Sequence, residues 1–480
     1  SPPRPPSSPP PATRRFSSQE AIRRPQTALQ RVFLDRLAER GVPVSGGWEL
    51  VGLHEHATGA VAELVDVAGG ARRVVRAAYV VGADGARSAV RRLSGIERHG
   101  EYATSKRLRL IVRTGEIADR VGPAPSATNI VVNATASGFL AAVSTREWRV
   151  YAGPFPLDHE PAEEELLAVA RAAFGFDLDL EIVSATTFYD ATLVAATFRR
   201  GRVLLAGDAA HVRTPGGNLG EGFGDVVNLG WKLALVLAGQ ASEGLLDSYD
   251  EERRPHNQRV GDHALARSRR SGEVLAEIRR GGVPADDDLS PDAVRRRAAI
   301  GDLLSQNRFD DIGVTFDERY DTSSAIWYEP GQREAEAPWR PDTYVDDARP
   351  GHRAPDGLVD AYGGTLYDRI GSDLALLVLG EGRCVERAFA AEARARRLPF
   401  TVVHLTDPEA RQVYAADNVL VRPDQHVAWR GAVLSAGGAA AVLDHVLGGR
   451  PSTAEDRHTD HPTTTATARA AAAELAGAVR

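Results

Sequence analysis

Apolar and polar residues follow two successive patterns in the first third of the chain. Phe33 and Leu37 share the apolar face of a predicted helix from about 27 to 40. The stretches ELVGLHEH, AVAELVDVA and RRVVRAAYVVGADG then alternate with a period of two, and glycine-containing turns separate them. Similar stretches between 107 and 156 predict an antiparallel sheet, inserted as a separate layer.

The rest of the chain changes from helices to a short α/β series. We expect a helix at 163–175, a buried strand that ends at Asp208, and a long helix from about 222 to 238. Residues 329–350 are rich in Pro and Gly and predict a linker. Beyond them, the stretches LALLVLG, FTVVHLT and NVLVRPDQHVAWRG and a helix at about 383–396 form a β-α-β-β series, which predicts a small, independent α/β domain.

Composition narrows the class of protein. The 480 residues are 43% hydrophobic and 26% charged, which is typical of a soluble globular protein with two or three domains. A net charge of −7 gives no reason to expect nucleic acid or a membrane surface as a partner, and no apolar run is long enough to span a bilayer. Cys384 is the only cysteine, which excludes an intramolecular disulfide and a CxxC pair, and we expect no metal site. The expected location is the cytoplasm.

A strand, a glycine-rich turn and a helix at 202–239 carry the clearest chemistry. The sequence is RVLLAGDAAHVRTPGGNLGEGFGDVVNLGWKLALVLAG. A strand end that leads through such a turn to a helix N-terminus forms a pocket for an electron-rich ligand. Its glycines let backbone amides approach the ligand, and Asp208 can accept hydrogen bonds from sugar hydroxyls. The alternative is a structural turn that binds nothing.

This segment, together with SYDEERRP at 248–255, closely resembles the second FAD-binding motif of class A flavoprotein monooxygenases, the p-hydroxybenzoate hydroxylase-like group. The resemblance implies that FAD is the cofactor, that NAD(P)H reduces it transiently, and that Asp208 binds the ribityl chain. The residues it assigns to cofactor binding here are Gly207, Asp208, Pro215, Gly216, Gly217, Asn218, Leu219 and Gly220.

Three further segments extend the resemblance. YVVGADGARSAVRR at 79–92 is similar to the family's Asp-Gly motif, which implies that Asp84 binds FAD and NAD(P)H. RRPQTALQRVFLDRL at 23–37 is similar to the family's Pro-Gln helix, which implies that Gln26 contacts the ribityl region. The C-terminal stretch resembles the thioredoxin-like domain of polyketide and indolocarbazole tailoring members, although a lone Cys384 cannot carry out dithiol chemistry.

The resemblance implies an α/β fold of three parts. These are an FAD-binding, doubly wound (glutathione-reductase-like) domain, an inserted antiparallel β substrate domain, and a C-terminal thioredoxin-like domain. The expected boundaries are a Pro-rich disordered segment 1–20, FAD-binding parts 21–102 and 199–330, substrate domain 103–198, linker 331–349, thioredoxin-like domain 350–450 and tail 451–480.

The chain departs from the family pattern in three ways. The GxGxxG loop and the first βαβ unit that should open the FAD site are absent, which should leave strand edges exposed. We interpret this as an incomplete sequence. The alternatives are a second polypeptide that supplies the unit, and FAD binding that is lost or rearranged. The turn after GDAAH is also about two residues short, and the chain contains no methionine. Methionine positions that are missing from the sequence would produce both the short turn and the absence of methionine.

The third departure is Glu221, a carboxylate where the flavin edge would lie, which would disfavour negative charge on reduced flavin.

The expected function is an FAD-dependent monooxygenase that uses NAD(P)H and O₂ to hydroxylate or oxidise a large aromatic or polyketide small molecule. A non-redox FAD-dependent cyclase of the [4+2] type and an FAD-free partner subunit are the alternatives. The oligomeric state stays open, with a homodimer as one option. No catalytic base is assigned; the candidates, each more often a packing or surface residue, are His54, His56, Tyr151, Tyr189 and His211.

Overall fold

The computed structural model describes most of the chain in two compact units. The described residues are 26–115, 117, 129–133, 137–213, 218–285, 287–306, 311–356, 365–434 and 437–449. The first unit holds the described residues up to Val226, with Arg253–Glu318 and Ala337–Val345. The second holds Val227–Glu252, Arg319–Glu336 and the described residues from Asp346 onward. The predicted disordered segment 1–20 and tail 451–480 lie outside the described residues.

Strands dominate the first part of the chain, as the alternating pattern predicts. The elements are α1 (Gln26–Glu39), β1 (Trp48–His56), β2 (Gly59–Asp66), β3 (Arg72–Ala77), β4 (Val80–Gly82), α2 (Ala89–Leu93), β5 (Arg98–Arg113), β6 (Asn129–Val132), β7 (Ser137–Ala142), β8 (Glu147–Phe155), α3 (Glu163–Phe174), β9 (Glu181–Ala195), β10 (Arg199–Arg200), β11 (Val203–Leu205) and β12 (His211–Arg213). The helices predicted near 27–40 and at 163–175 are confirmed to within one residue.

Helices follow, and then a second α/β series. The elements are α4 (Asn218–Leu237), α5 (Gly244–Arg280), α6 (Pro291–Gln306), α7 (Ile312–Phe316), α8 (Gln332–Ala335), α9 (Leu366–Ile370), β13 (Leu374–Val378), α10 (Cys384–Ala395), β14 (Phe400–His404), α11 (Pro408–Tyr414), β15 (Asn418–Val421), β16 (Val427–Gly431) and α12 (Gly438–Val446). The short helix α8 lies inside the stretch whose composition predicts a linker.

The inserted antiparallel sheet is the largest in the first unit. Its order is β12-β9-β5-β8-β7-β6, and each described pair of neighbours is antiparallel. Alternate residues of β5 and β8, such as Leu110 and Val150, are fully buried in a core shared with Trp148 and with Leu166 and Phe174 of α3. Because successive side chains point to opposite faces, the intervening residues form the face of the sheet that lies opposite α3.

A small parallel pair joins the two sequence motifs. In the sheet of order β10-β11-β4, β11 runs parallel to β4, with Val203 opposite Val80 and Leu205 opposite Gly82. The strand predicted to end at Asp208 ends at Leu205, and a 3₁₀ turn follows. Among the described residues β4 is an edge strand, which agrees with the expected exposed edge.

The sheet of the second unit is buried on both faces. Its order is β14-β13-β15-β16, with β13 parallel to β14 and antiparallel to β15. Every residue of β13 is buried, because α10 and α12 pack on one face while α9 and α11 pack on the other. The expected α/β fold class is confirmed. Within the described residues, no helix combines the length and the apolarity that crossing a bilayer requires.

Candidate functional site

The parallel pairing of β4 and β11 brings two predicted carboxylates to one edge of a sheet. Asp84 follows the end of β4 by two residues, and Asp208 follows the end of β11 by three. Both side chains are exposed. Because the carboxyl ends of parallel strands meet at the same edge, the two motifs form one site even though they lie more than 120 residues apart.

Asp84 holds the start of the next helix. Its Oδ2 accepts hydrogen bonds from the backbone amides of Ala89 (2.6 Å) and Val90 (3.0 Å), and the Ser88 hydroxyl caps the same helix by accepting from Arg91 N (2.9 Å). A Cβ at Gly82 would lie 2.8 Å from Val90 Cβ, so only glycine lets α2 pack this closely on β4. Ser88 is therefore the N-cap residue of α2.

Gly207 makes the turn that presents Asp208. Its φ of +60° lies in the left-handed region, and its amide donates to Asp225 Oδ2 at 2.8 Å. A Cβ at Gly222 would lie 3.6 Å from Gly207 Cα, so the turn and the first turns of α4 approach closely. In the part of the chain that the structure describes, the Asp208 carboxylate forms no hydrogen bond or ion pair, so it is available to hydroxyl groups of a ligand.

A buried group of charged residues lies directly behind this turn. We call Glu221, Asp225, Arg253 and His256 the strand-end cluster. Arg253 Nε donates to Asp225 Oδ1 at 2.9 Å, and its Nη2 donates to Glu221 Oε2 at 3.0 Å. His256 Nε2 lies 2.8 Å from the same Glu221 oxygen. The side chains of Asp225 and Arg253 are completely buried.

Electrostatics keeps both carboxylates of this cluster ionised. Burial alone would raise the pKa of Asp225, but Arg253 and His211, whose Nε2 lies 2.7 Å from Asp225 Oδ2, outweigh burial and lower that pKa. Burial likewise opposes ionisation of Glu221, but His256, Arg253 and Arg213 outweigh it and hold the pKa of Glu221 well below its ordinary value. The charge of Glu221 is therefore compensated by cations, which weakens the expectation that it would repel a reduced flavin.

The remaining predicted cofactor residues are only partly described. Pro215, Gly216 and Gly217 lie outside the described residues, and Asn218 begins α4 with a side chain that is not described. Leu219 is exposed, and the space around Gly220 is open. Gln26 is exposed at the start of α1, a helix that reaches α4 through an edge-to-face contact between Phe33 and Phe223, with ring centroids 5.8 Å apart.

Sequence reasoning missed the strand-end cluster. The SYDEERRP and EGFGDVV segments were recognised, but no role was given to Asp225, Arg253 or His256. A signal was available, since Glu221 and Asp225 lie four residues apart in α4, and Arg253 and His256 lie three residues apart in α5, so each pair shares one helix face. The packing of the two helices decides which charges are buried together, and the pattern along a single helix does not contain that information.

None of the five candidate bases is singled out by geometry as a proton acceptor. His211 is buried against Asp225, and His54 Nε2 lies 3.5 Å from Glu63 on the surface. His56 is exposed, and the Tyr189 ring packs beside that of Tyr102 at 5.9 Å.

Tyr151, the fifth candidate, belongs to an aromatic group on the face of the inserted sheet opposite α3. Its ring contacts Phe139 and Phe188 edge to face, with centroids 6.4 and 5.8 Å away. Among the described residues, no three or more His, Cys, Asp or Glu side chains are grouped so that they could hold a metal ion.

Comparison with known proteins assigns the family. An FAD-binding-domain family matches residues 11–264, more than half of the chain, and an aromatic-ring hydroxylase C-terminal family matches residues 347–451. The chain belongs to the FAD-dependent aromatic-ring hydroxylases. The resemblance read from the motifs is thereby confirmed.

Individual relatives agree with this assignment. A putative polyketide hydroxylase of Streptomyces halstedii is 34% identical over 262 residues, which cover 53% of this chain and 47% of that protein. RebC soaked with chromopyrrolic acid, with bound 7-carboxy-K252c, matches with a TM-score of 0.73 and 30% identity over 84% of this chain and 74% of RebC.

An aklavinone-11 hydroxylase in complex with FAD and aklavinone matches with a TM-score of 0.72 and 26% identity over 88% of this chain and 78% of that one. The present chain spans about half the length of the curated relatives that it matches.

Proposed function

We propose that this protein is an FAD-dependent monooxygenase that uses NAD(P)H and O₂ to hydroxylate or oxidise a large aromatic or polyketide intermediate of natural-product biosynthesis. The observation that carries the proposal is the parallel pairing of β4 and β11, which gathers Asp84 and Asp208 at one sheet edge. Family membership and relatives that act on polyketides support the same function.

The residues present fit the ribityl side of a flavin. Asp208 offers an unengaged carboxylate to sugar-like hydroxyls, and Gly207 lets the backbone approach a ligand without a side chain in the way. Asp84 has one carboxylate oxygen committed to α2, which leaves the other for a ligand. The segment Pro215–Gly220 and Gln26 would complete this side of the site, and their roles stay predictions.

When bound, FAD would accept hydride from NAD(P)H and activate O₂, so the protein needs few acid–base groups of its own. The chain's residues would hold the cofactor and position the substrate. Phe139, Tyr151 and Phe188 offer an aromatic surface on which a polycyclic substrate can pack while water is excluded. The strand-end cluster would keep the start of α4 in place through charge-assisted bonds between helices.

The visible spectrum of the purified full-length protein tests this proposal. A monooxygenase should copurify with flavin, and NADPH should bleach that flavin without oxygen. In the presence of ¹⁸O₂, one labelled oxygen should enter an aromatic product. Flavin that stays oxidised with NADPH and every aromatic compound offered would indicate the non-redox cyclase. A colourless protein that binds no added FAD would indicate a partner subunit.

A further inference from the structure

Two arginines occupy neighbouring rows on the face of the inserted sheet that lies opposite α3. Arg109 of β5 pairs with Tyr151 of β8, and Ile111 pairs with Arg149. Directly paired residues project from the same face, so both arginines and Tyr151 share it. Arg109 and Arg149 are diagonal neighbours on adjacent strands, which places their Cα atoms about 7–8 Å apart.

Two other arginines of the same strand are paired with carboxylates, whereas Arg98 donates to the backbone carbonyl of Ala86. Arg107 Nε donates to Asp190 Oδ2 at 2.9 Å. Arg113 donates to Glu147 at 3.0 Å and to Glu181 at 3.1 Å. Arg107 and Arg113 of β5 thus have carboxylate partners within the chain.

Arg109 and Arg149 have no such partners. In the part of the chain that the structure describes, neither side chain forms a hydrogen bond or an ion pair. Arg149 Nε is buried and lacks any acceptor, although its side chain as a whole is only partly buried. A buried donor without a partner destabilises the fold, and two unpaired like charges at diagonal positions repel each other. An anion brought from outside the chain would remove both costs.

The residues around the two guanidinium groups indicate what else the anionic ligand contains. Tyr151 lies beside Arg109 and forms edge-to-face contacts with Phe139 and Phe188. Thr186 lies opposite Arg109 on the other side, in β9, and adds a hydroxyl. Aromatic rings next to unpaired guanidinium groups suit a flat ring system that bears a carboxylate, because a carboxylate accepts two parallel bonds from a guanidinium group.

We propose that Arg109 and Arg149 select substrates in which the aromatic ring system carries a carboxylate. The two guanidinium groups bind the carboxylate, and the rings of Phe139, Tyr151 and Phe188 contact the ring system. This inference rests on the proposed function, since it names the substrate class of that site. Binding is nevertheless measured without turnover, so the two can fail separately.

The test compares two probes of nearly equal size, anthraquinone-2-carboxylate and the neutral anthraquinone-2-carboxamide, by calorimetric titration of the full-length protein. A charge-assisted hydrogen bond contributes about 1.5–3 kcal/mol, so we expect the carboxylate to bind roughly 10- to 100-fold more tightly. Arg149→Gln should reduce that preference to less than about threefold, because it removes the charge. Arg149→Lys should retain part of it, because it keeps the charge without the planar fork.

The matched control is Arg113→Gln, which removes an arginine from the same strand whose charge is already compensated. It should keep the full preference, and circular dichroism and thermal unfolding should show that all variants are folded. Equal binding of the two probes by the unmodified protein would overturn the proposal, and so would binding of neither. Loss of the preference in Arg113→Gln as large as in Arg149→Gln would overturn it as well. Failure of NADPH to bleach the flavin would overturn the proposed redox function but would leave this preference intact.

Discussion

Among the described residues, two clusters of buried charge can be compared, one in each unit, and they differ in their access to solvent. The strand-end cluster lies behind the Gly207 turn, and two of the carboxylates that Arg253 binds, those of Glu221 and Glu318, are 12% and 21% exposed. In the second unit, the inner cluster comprises Lys232, Glu252, Arg422 and Asp424, whose side chains are at most 2% exposed.

The inner cluster is closed and electrically balanced. Arg422 binds both oxygens of Glu252 at 2.7 and 2.8 Å, and Lys232 Nζ binds one of them at 2.7 Å. Asn228 donates to Asp424 at 3.1 Å. Two cations and two carboxylates leave no net charge to attract a ligand. Buried charge alone therefore does not mark a flavin site; the site that we propose lies at the carboxyl ends of parallel strands.

The largest expected effect is on the inner cluster. Arg422→Met removes from a closed core the guanidinium group that binds both Glu252 and Asp424, so the free energy of unfolding should fall by about 3–5 kcal/mol. Flavin affinity at temperatures where the protein is folded should not change. Denaturant titration and FAD titration measure the two quantities. A loss of less than about 1 kcal/mol would show that the inner cluster does not stabilise its unit.

A pH titration of stability gives the next effect. Burial lowers the pKa of Lys232 from 10.5 to about 8, although Glu252 opposes the shift. Above pH 8 the folded protein therefore binds fewer protons at this residue than the unfolded chain. Lys232 should therefore raise the free energy of unfolding by about 2–3 kcal/mol between pH 8 and 10.5, because a difference of one pKa unit corresponds to about 1.4 kcal/mol. Lys232→Met should lack this rise, and an identical pH profile in the variant would contradict the assignment.

A change in the strand-end cluster should act on the cofactor as well as on stability. Arg253→Met removes charge-assisted bonds of about 1.5–3 kcal/mol that tie α5 to the start of α4, so FAD affinity should fall roughly 10- to 100-fold. Arg253→Lys should restore part of the affinity. Fluorescence titration with FAD measures this, and the inner-cluster variant Arg422→Met serves as the comparison. Equal flavin affinities in Arg253→Met and the unmodified protein would remove the distinction between the two clusters.

The smallest effect concerns acid stability. The pKa of Glu221 lies below its ordinary 4.5 because His256, Arg253 and Arg213 outweigh burial. The contribution of Glu221 is therefore fully present above pH 4.5 and is lost as the pH falls below it. Glu221→Gln should flatten the dependence of stability on pH between about 5 and 3, by about 1 kcal/mol. Acid unfolding followed by circular dichroism would show no such difference if Glu221 were not paired.

The comparison also explains how far the sequence could lead. Asp84 and Asp208 each follow an apolar strand, so their meeting at one edge could be predicted from the order of motifs. The pairing of Arg422 with Glu252 joins residues 170 positions apart, and no local pattern contains it. The strand before Asp208 ends earlier than predicted, because Gly207 takes a positive φ and turns the chain. Pairing partners and turn geometry are set by tertiary packing rather than by periodicity.

The FAD dissociation constant of Asp208→Ala tests most directly the claim that the two strand ends form the flavin site. Asp158→Ala, which changes another exposed aspartate in the same unit, is the control. Loss of a charged acceptor for sugar-like hydroxyls should weaken FAD binding roughly 10- to 100-fold in Asp208→Ala and leave the control unchanged. Equal dissociation constants for Asp208→Ala, the control and the unmodified protein would contradict the account.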